Sequence, residues 1–229
     1  MKYLRGFSFF AGTVAIYLGL PLLGWGFGAL RAFFTLPPRL GYALVVVTFG
    51  LAVGWQGIDA PEGVQGGHGQ EGKRVRRQTF LAYGLTAILF AALFLLPFAD
   101  RRSLGVLMVA QAVRWSGVVL SGLGYGLIFW SGVALGRLYS AEVTVQEGHR
   151  LITAGLYRYI RHPRYLGAIC VAFGASLVFR SWAGLLLNVL LPGLLLERMK
   201  DEEALMHQEF GAEWEAYCKR SWRLIPHIY

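Results

Sequence analysis

Acid is scarce in this chain. It has 13 Asp and Glu against 22 Lys and Arg; charged residues of both signs make up only 15% of 229 residues, while 55% are hydrophobic. A soluble domain needs more polar surface than this, so the composition excludes an ordinary globular protein and predicts an all-α integral membrane protein. Cysteine is nearly absent too: Cys170 lies in an apolar run and Cys218 in the basic tail. Two isolated thiols without paired spacing imply neither a disulfide framework nor a metal site, and no metal is expected. The net charge of +9 does not point to nucleic acid, because the basic residues are scattered between apolar runs rather than gathered on one soluble face.

The apolar runs cover residues 7–30, 40–55, 80–99, 115–136, 165–179 and 182–196. A span needs ~20 apolar residues at ~1.5 Å rise each, so the first, third and fourth qualify outright, the second is slightly short, and the last two are shorter still. Only Arg180 and Ser181 separate those two. That predicts a helical hairpin over 165–196 with Arg180 snorkelling at the far interface. The alternative is one long bent helix, which would leave an unpaired guanidinium in hydrocarbon at a cost of at least ~2.5 kcal/mol. About six transmembrane helices result. Lys2 and Arg5 before the first run also suit a signal peptide, but the run exceeds an h-region of ~7–15 residues, so a retained span is expected. Six spans with both termini inside put most of the 22 basic residues on the inner side. Both termini are therefore expected to be cytoplasmic, and with no added targeting signal read, a bacterial-type inner membrane is the simplest expected location.

Two regions follow. Residues 1–113 hold the N-terminal spans and a Gly-rich inner loop over 56–78, which contains the Lys73-Arg74-Val75-Arg76-Arg77 topology signal. Residues 114–229 hold a span, a polar segment over 149–167, the hairpin, and a cytoplasmic tail over 197–229. The short apolar piece over 104–113 is expected along the outer interface. Gly117, Gly122, Gly124, Gly126 and Gly132 in the fourth run predict close helix approach. In the tail, Met206, Phe210, Trp214 and Tyr217 form one apolar stripe that Gly211 interrupts, and Glu202, one turn before Met206, shares its inward direction.

The segment HRLITAGLYRYIRHPRYLG, residues 149–167, concentrates histidine, tyrosine and arginine between apolar runs. Pro163 disfavours helical geometry at His162, which predicts a bend at a helix entrance. Arg158, Arg161, His162 and Arg164 complement Glu202 and Glu203 in charge. One reading is a set of interfacial ion pairs clipping the tail to the hairpin. The other is a cage of carboxylates and aromatic rings around a cationic cofactor.

These residues resemble the isoprenylcysteine carboxyl methyltransferase family, within the phospholipid methyltransferase-like group. The matching blocks are His149, the run from Leu151 to Tyr157, Arg161-His162-Pro163-Arg164-Tyr165-Leu166-Gly167, Glu202-Glu203, Phe210-Gly211-Ala212-Glu213-Trp214, Tyr217-Cys218-Lys219-Arg220 and Leu224-Ile225-Pro226. The resemblance covers residue 114 onward and implies S-adenosylmethionine-dependent methyl transfer at the cytoplasmic face, with a lipophilic acceptor entering from the membrane lipids. It implies a cofactor site at His149, Gly155, Tyr157, Arg161, His162, Tyr165, Glu202 and Glu203, with Glu203 and Arg220 as catalytic residues and Arg220 and Tyr217 at the substrate. Arg164, Trp214 and Leu156 depart from the family pattern, which bears on substrate choice.

Carboxyl O-methylation of an isoprenyl-cysteine-like acceptor is the leading expectation, because an amine acceptor needs a general base beyond the glutamates and His162. Three alternatives stay open: N- or S-methylation of a phospholipid or small amphiphile, an NADPH-dependent sterol-type reductase, and a non-catalytic membrane scaffold. The glutamate doublet disfavours a phosphorylated dinucleotide. The residues do not determine an oligomeric state.

Overall fold

A computed structural model describes residues 1–59, 76–108, 110–135 and 151–229. The chain enters as α1 (Lys2–Val14), passes through a π-turn (Ala15–Gly19) into α2 (Leu20–Trp25), and breaks at Gly26, whose φ of 95° only glycine adopts at low cost. After a 3-10 turn (Phe27–Ala29) come α3 (Leu30–Phe34), α4 (Pro37–Asp59), α5 (Arg76–Arg102) and α6 (Gln111–Leu135). A second 3-10 turn (Gly155–Arg158) leads to α7 (Pro163–Val178), α8 (Trp182–Phe210) and α9 (Ala212–Cys218). Among the described residues, five helical stretches are long and apolar enough to cross a membrane: Lys2–Trp25, Pro37–Ile58, Tyr83–Arg102, Gln111–Leu135 and Trp182–Phe210; α7 is shorter. Among the described residues no strand forms, and Leu44, Leu51, Leu123, Trp130, Leu186 and Val189 stay exposed, as lipid-facing side chains would. This is an all-α integral membrane protein.

Three boundaries differ from expectation. The loop placed over 56–78 is shorter, because α4 continues to Asp59 and α5 begins at Arg76; the loop residues between them lie outside the described ones. The apolar piece expected over 104–113 is cut short at its end, where α6 takes over. Val106 bridges to Ser181, Leu107 N–H donates to the Arg180 carbonyl at 2.7 Å, and α6 already starts at Gln111. Backbone pairing to the hairpin tip satisfies groups that an isolated interfacial turn would leave open. Beyond the apolar run, α8 continues through the polar residues to Phe210.

The hairpin itself is present: α7 ends at Val178, Arg180 takes φ 52°, and Ser181 caps α8 by accepting from Gly184 N–H at 3.1 Å. Arg180 does not snorkel alone. Its Nε lies 2.8 Å from Oδ1 of Asp100, whose side chain is wholly buried. Arg114 reaches both Asp100 oxygens at 3.2 Å and donates to the Val178 carbonyl at 2.8 Å, and Arg39 Nε stands 3.2 Å from Oδ2. Arg180, expected at the interface, thus converges with Arg39 and Arg114 on one carboxylate, because a buried guanidinium needs an anion.

α6 and α7 cross almost backbone to backbone. A Cβ on Gly117 would stand 2.6 Å from the Gly174 carbonyl, and one on Gly124 2.6 Å from the Gly167 carbonyl. Gly126 and Gly132 do not take part: a Cβ on Gly126 would meet nothing within 4 Å, and one on Gly132 would only touch Gln56 at 4.0 Å.

Candidate active site

The Asp100 cluster marks one end of α7, and His162 marks the other. His162 (φ −125°, ψ 57°) precedes α7 outside helical geometry with Pro163 as the first helical residue, as the Arg-His-Pro step predicts. Upstream, Gly155 starts the 3-10 turn at φ 59°, a conformation that favours glycine. The segment then pairs with the tail through backbone groups. Trp222 N–H donates to the Tyr159 carbonyl at 2.9 Å, Arg161 N–H to Trp222 at 2.8 Å, and His162 N–H to Arg223 at 3.1 Å.

The tail reaches this position because Gly211, at φ 48°, ends α8 and redirects the chain into α9. The stripe then turns inward: Trp214 and Tyr217 are buried, and the Tyr217 hydroxyl donates to the Tyr157 carbonyl at 2.6 Å. Ser221 Oγ donates to the Tyr217 carbonyl at 2.7 Å, and the Arg161 guanidinium donates to Ser221 and to the Cys218 carbonyl. Burial pushes the Tyr217 phenol up to about 12 and the Tyr157 phenol higher still, so both are neutral hydrogen-bonding groups at neutral pH.

The two adjacent glutamates have different surroundings. Glu203 is held by Arg161 Nε at 3.0 Å, by His162 Nε2 at 3.1 Å and by the Arg223 guanidinium at 3.0 Å. The hydrogen bonds to Glu203 in turn hold Arg223 protonated well above the usual guanidinium range. Glu202 accepts from the Tyr165 hydroxyl and from Arg198 Nε at 3.3 Å, and its Oε2 lies 3.6 Å from His162 Nδ1. Arg198 Nε also donates to the Tyr165 hydroxyl at 2.8 Å, and the Tyr165 and His162 rings stack.

A cavity of about 620 Å³ opens beside this cluster. Tyr157, Arg161, His162, Tyr165, Glu202 and Tyr217 line its polar end, joined by Arg164, Arg198 and Trp214. The rest is largely apolar, walled by Leu85, Leu89 and Leu93 of α5, Ala168 and Ala172 of α7, and Leu191 of α8.

Not every expected residue arrives there. Glu203 is absent from the lining, since its carboxylate is saturated by three partners, and the catalytic assignment to it is not carried forward. Arg220 is exposed and also outside the lining. With Trp214, Tyr217 and Ser221 facing in, the position between them faces out. Gly155 shapes the turn without lining the cavity, and His149 lies outside the described residues. Arg198 and Arg223 were missed. The first had a sequence signal, lying four residues before Glu202 on one helix; the second had none, because only the backbone pairing of the tail brings it to Glu203.

Residues 103–208 match the family model described as isoprenylcysteine carboxyl methyltransferase. A protein-S-isoprenylcysteine O-methyltransferase of Schizosaccharomyces pombe is 30% identical over 136 residues, 59% of this chain and 52% of that protein. A probable protein-S-isoprenylcysteine O-methyltransferase of Oryza sativa subsp. indica is 28% identical over 119 residues, 51% of this chain and 62% of that one. A Delta(14)-sterol reductase of Mus musculus is 34% identical over 96 residues, 38% of this chain and 22% of the reductase. The chain spans about half the length of the first of these and less than two thirds of the others.

Proposed function

We propose, from the match of residues 103–208 to the isoprenylcysteine carboxyl methyltransferase family model, that this chain is an S-adenosylmethionine-dependent methyltransferase acting on a lipophilic acceptor, most simply by carboxyl O-methylation. One observation carries the reading: a single cavity runs from the charged His162 end into an apolar wall between α5, α7 and α8. A charged cofactor and a lipid-like acceptor need such a pair of environments in contact.

The donor set suits the cofactor. Glu202 offers an acceptor to an ammonium, Arg161 and Arg198 offer guanidinium donors to a carboxylate, and Trp214 and Tyr165 offer ring faces to a sulfonium or a purine. Bound there, S-adenosylmethionine supplies an electrophilic methyl group on a positively charged sulfur. The chain's own contribution is positioning and dryness. Trp214 and Tyr217 of α9 and the paired tail cover the polar end, and shielding from water there favours a reaction that neutralises opposite charges. Holding nucleophile and methyl carbon in line is worth ~7–11 kcal/mol when the geometry is right. With Arg220 outside the cavity, we assign orientation of the acceptor carboxylate to Arg164, on the first turn of α7 and on the cavity wall. The excess of basic residues near the His162 end supports placing this site and both termini on the cytoplasmic face.

The likeness to sterol reductases gives the competing reading. Glu203 is neutralised by its partners, and Glu202 shares the cavity lining with Arg161, Arg164 and Arg198, so charge alone does not reject a phosphorylated dinucleotide. Calorimetric titration of the purified protein with S-adenosylhomocysteine, and separately with NADPH, decides between the two. Binding of the first is expected, and binding of NADPH alone overturns the proposal.

A further inference from the structure

In the apolar part of the cavity, away from His162, Ser176 of α7 and Asn188 of α8 introduce polarity into the lining. Ser176 is fully buried; its hydroxyl donates to the Ala172 carbonyl at 3.0 Å and accepts from Asn188 Nδ2 at 3.0 Å. With its one proton given to the backbone, the serine oxygen faces Asn188 only as an acceptor, so the amide must present its NH2 there. Asn188 Oδ1 and the second Nδ2 hydrogen then have no hydrogen-bond partner among the described residues. The helices meet closely at this level: a Cβ on Gly184, one turn before Asn188, would stand 2.4 Å from Ser176 Oγ.

Interhelical adhesion accounts for the Asn188 to Ser176 bond, but not for an amide on a cavity wall with three of its four hydrogen-bonding positions unused. A carboxamide in an apolar site is costly until its groups are paired. Ser176 lies thirteen residues along α7 from Pro163, so the two polar ends of the cavity are separated by about 20 Å at the helical rise.

We propose that Asn188, oriented by Ser176, is a specificity-determining residue that receives a hydrogen-bond donor, in the simplest case a hydroxyl, at the far end of an amphiphile whose reacting end lies at His162. This rests on the reading of the cavity as an acceptor site. The preferred ligand is polar at both ends, and a chain ending in methyl leaves the amide dry and unpaired.

The test is equilibrium binding of two long-chain carboxylates of equal length, one with a terminal hydroxyl and one without, to the purified full-length protein. The hydroxylated compound is expected to bind about tenfold tighter, the size of one net hydrogen bond in a dry site. N188L is expected to abolish that preference while keeping affinity for the unsubstituted chain, and S176A to weaken the preference while still binding both. A purely structural role for the pair would not move the ratio between two ligands. Equal affinities in the unaltered protein, or a preference that survives N188L, overturn the inference and leave the acceptor-site reading standing. Binding of neither compound overturns both.

Discussion

At the residue scale, burial separates two carboxylates that the sequence presents as a doublet. Glu203 faces Arg161, His162 and Arg223 and ties the tail to the α7 entrance, whereas Glu202 faces the cavity. Their variants should therefore fail differently. E203Q leaves two guanidinium groups without their anion and is expected to lower stability by on the order of 3 kcal/mol, measured as a fall in melting temperature. E202Q removes the anion of one guanidinium, Arg198, which keeps its bond to the Tyr165 hydroxyl, so it is expected to cost less stability than E203Q and to weaken S-adenosylhomocysteine binding about tenfold, the size of one charge-assisted hydrogen bond. Calorimetry on both variants checks this, and equal losses of stability would refute the division. The approach of the tail acids to the motif arginines was legible from charge alone. Which of two neighbouring acids would face the cavity was not, because helix periodicity puts adjacent residues on adjoining faces without saying where the cavity lies.

At the scale of elements, the α6 to α7 contact holds the polar segment over the bundle. Glycine content announced a close approach, but only the crossing shows which glycines make it. A Cβ on Gly174 would stand 2.4 Å from Ser121 Oγ and 2.7 Å from the Gly117 carbonyl. G174A is therefore expected to cost about 1–3 kcal/mol through forced separation of the helices. G126A is expected to be neutral or slightly stabilising, since nothing lies within 4 Å and alanine favours the helix. Thermal unfolding of the two variants in the same detergent measures the contrast. The hairpin was equally legible, as two apolar runs broken by an arginine. The start of α6 at Gln111 was not, because pairing of residues 105–107 with the hairpin tip involves backbone groups, which carry no side-chain signature.

At the scale of the whole molecule, the two ends of α7 are anchored by clusters of similar chemistry and different openness. The His162 end borders a cavity. The Asp100 end is closed, and there one carboxylate joins α4, α5, α6 and the tip of the hairpin through Arg39, Arg114 and Arg180. D100N should strand three guanidinium groups in a nearly dry site and cost about 3–5 kcal/mol. The expected readout is loss of the folded protein in detergent, or a large fall in melting temperature that S-adenosylhomocysteine only partly restores by mass action. An unchanged melting temperature would show that lipid or water, rather than Asp100, compensates those arginines.

The sequence by itself determined the solvent this protein folds in, the rough extent of its apolar helices, and the concentration of histidine, tyrosine and arginine between two of them. These follow from transfer free energies and from side-chain chemistry, which are properties of residues taken a few at a time. Only the tertiary structure decided that Glu202 and not Glu203 faces the cavity, that Arg220 stands outside it, that Arg198 and Arg223 complete the charge balance, and that Asn188 opens onto an apolar wall. Those outcomes depend on where separate helices cross and how the chain turns at Gly211. Such contacts join residues distant in sequence, and no local pattern encodes their register.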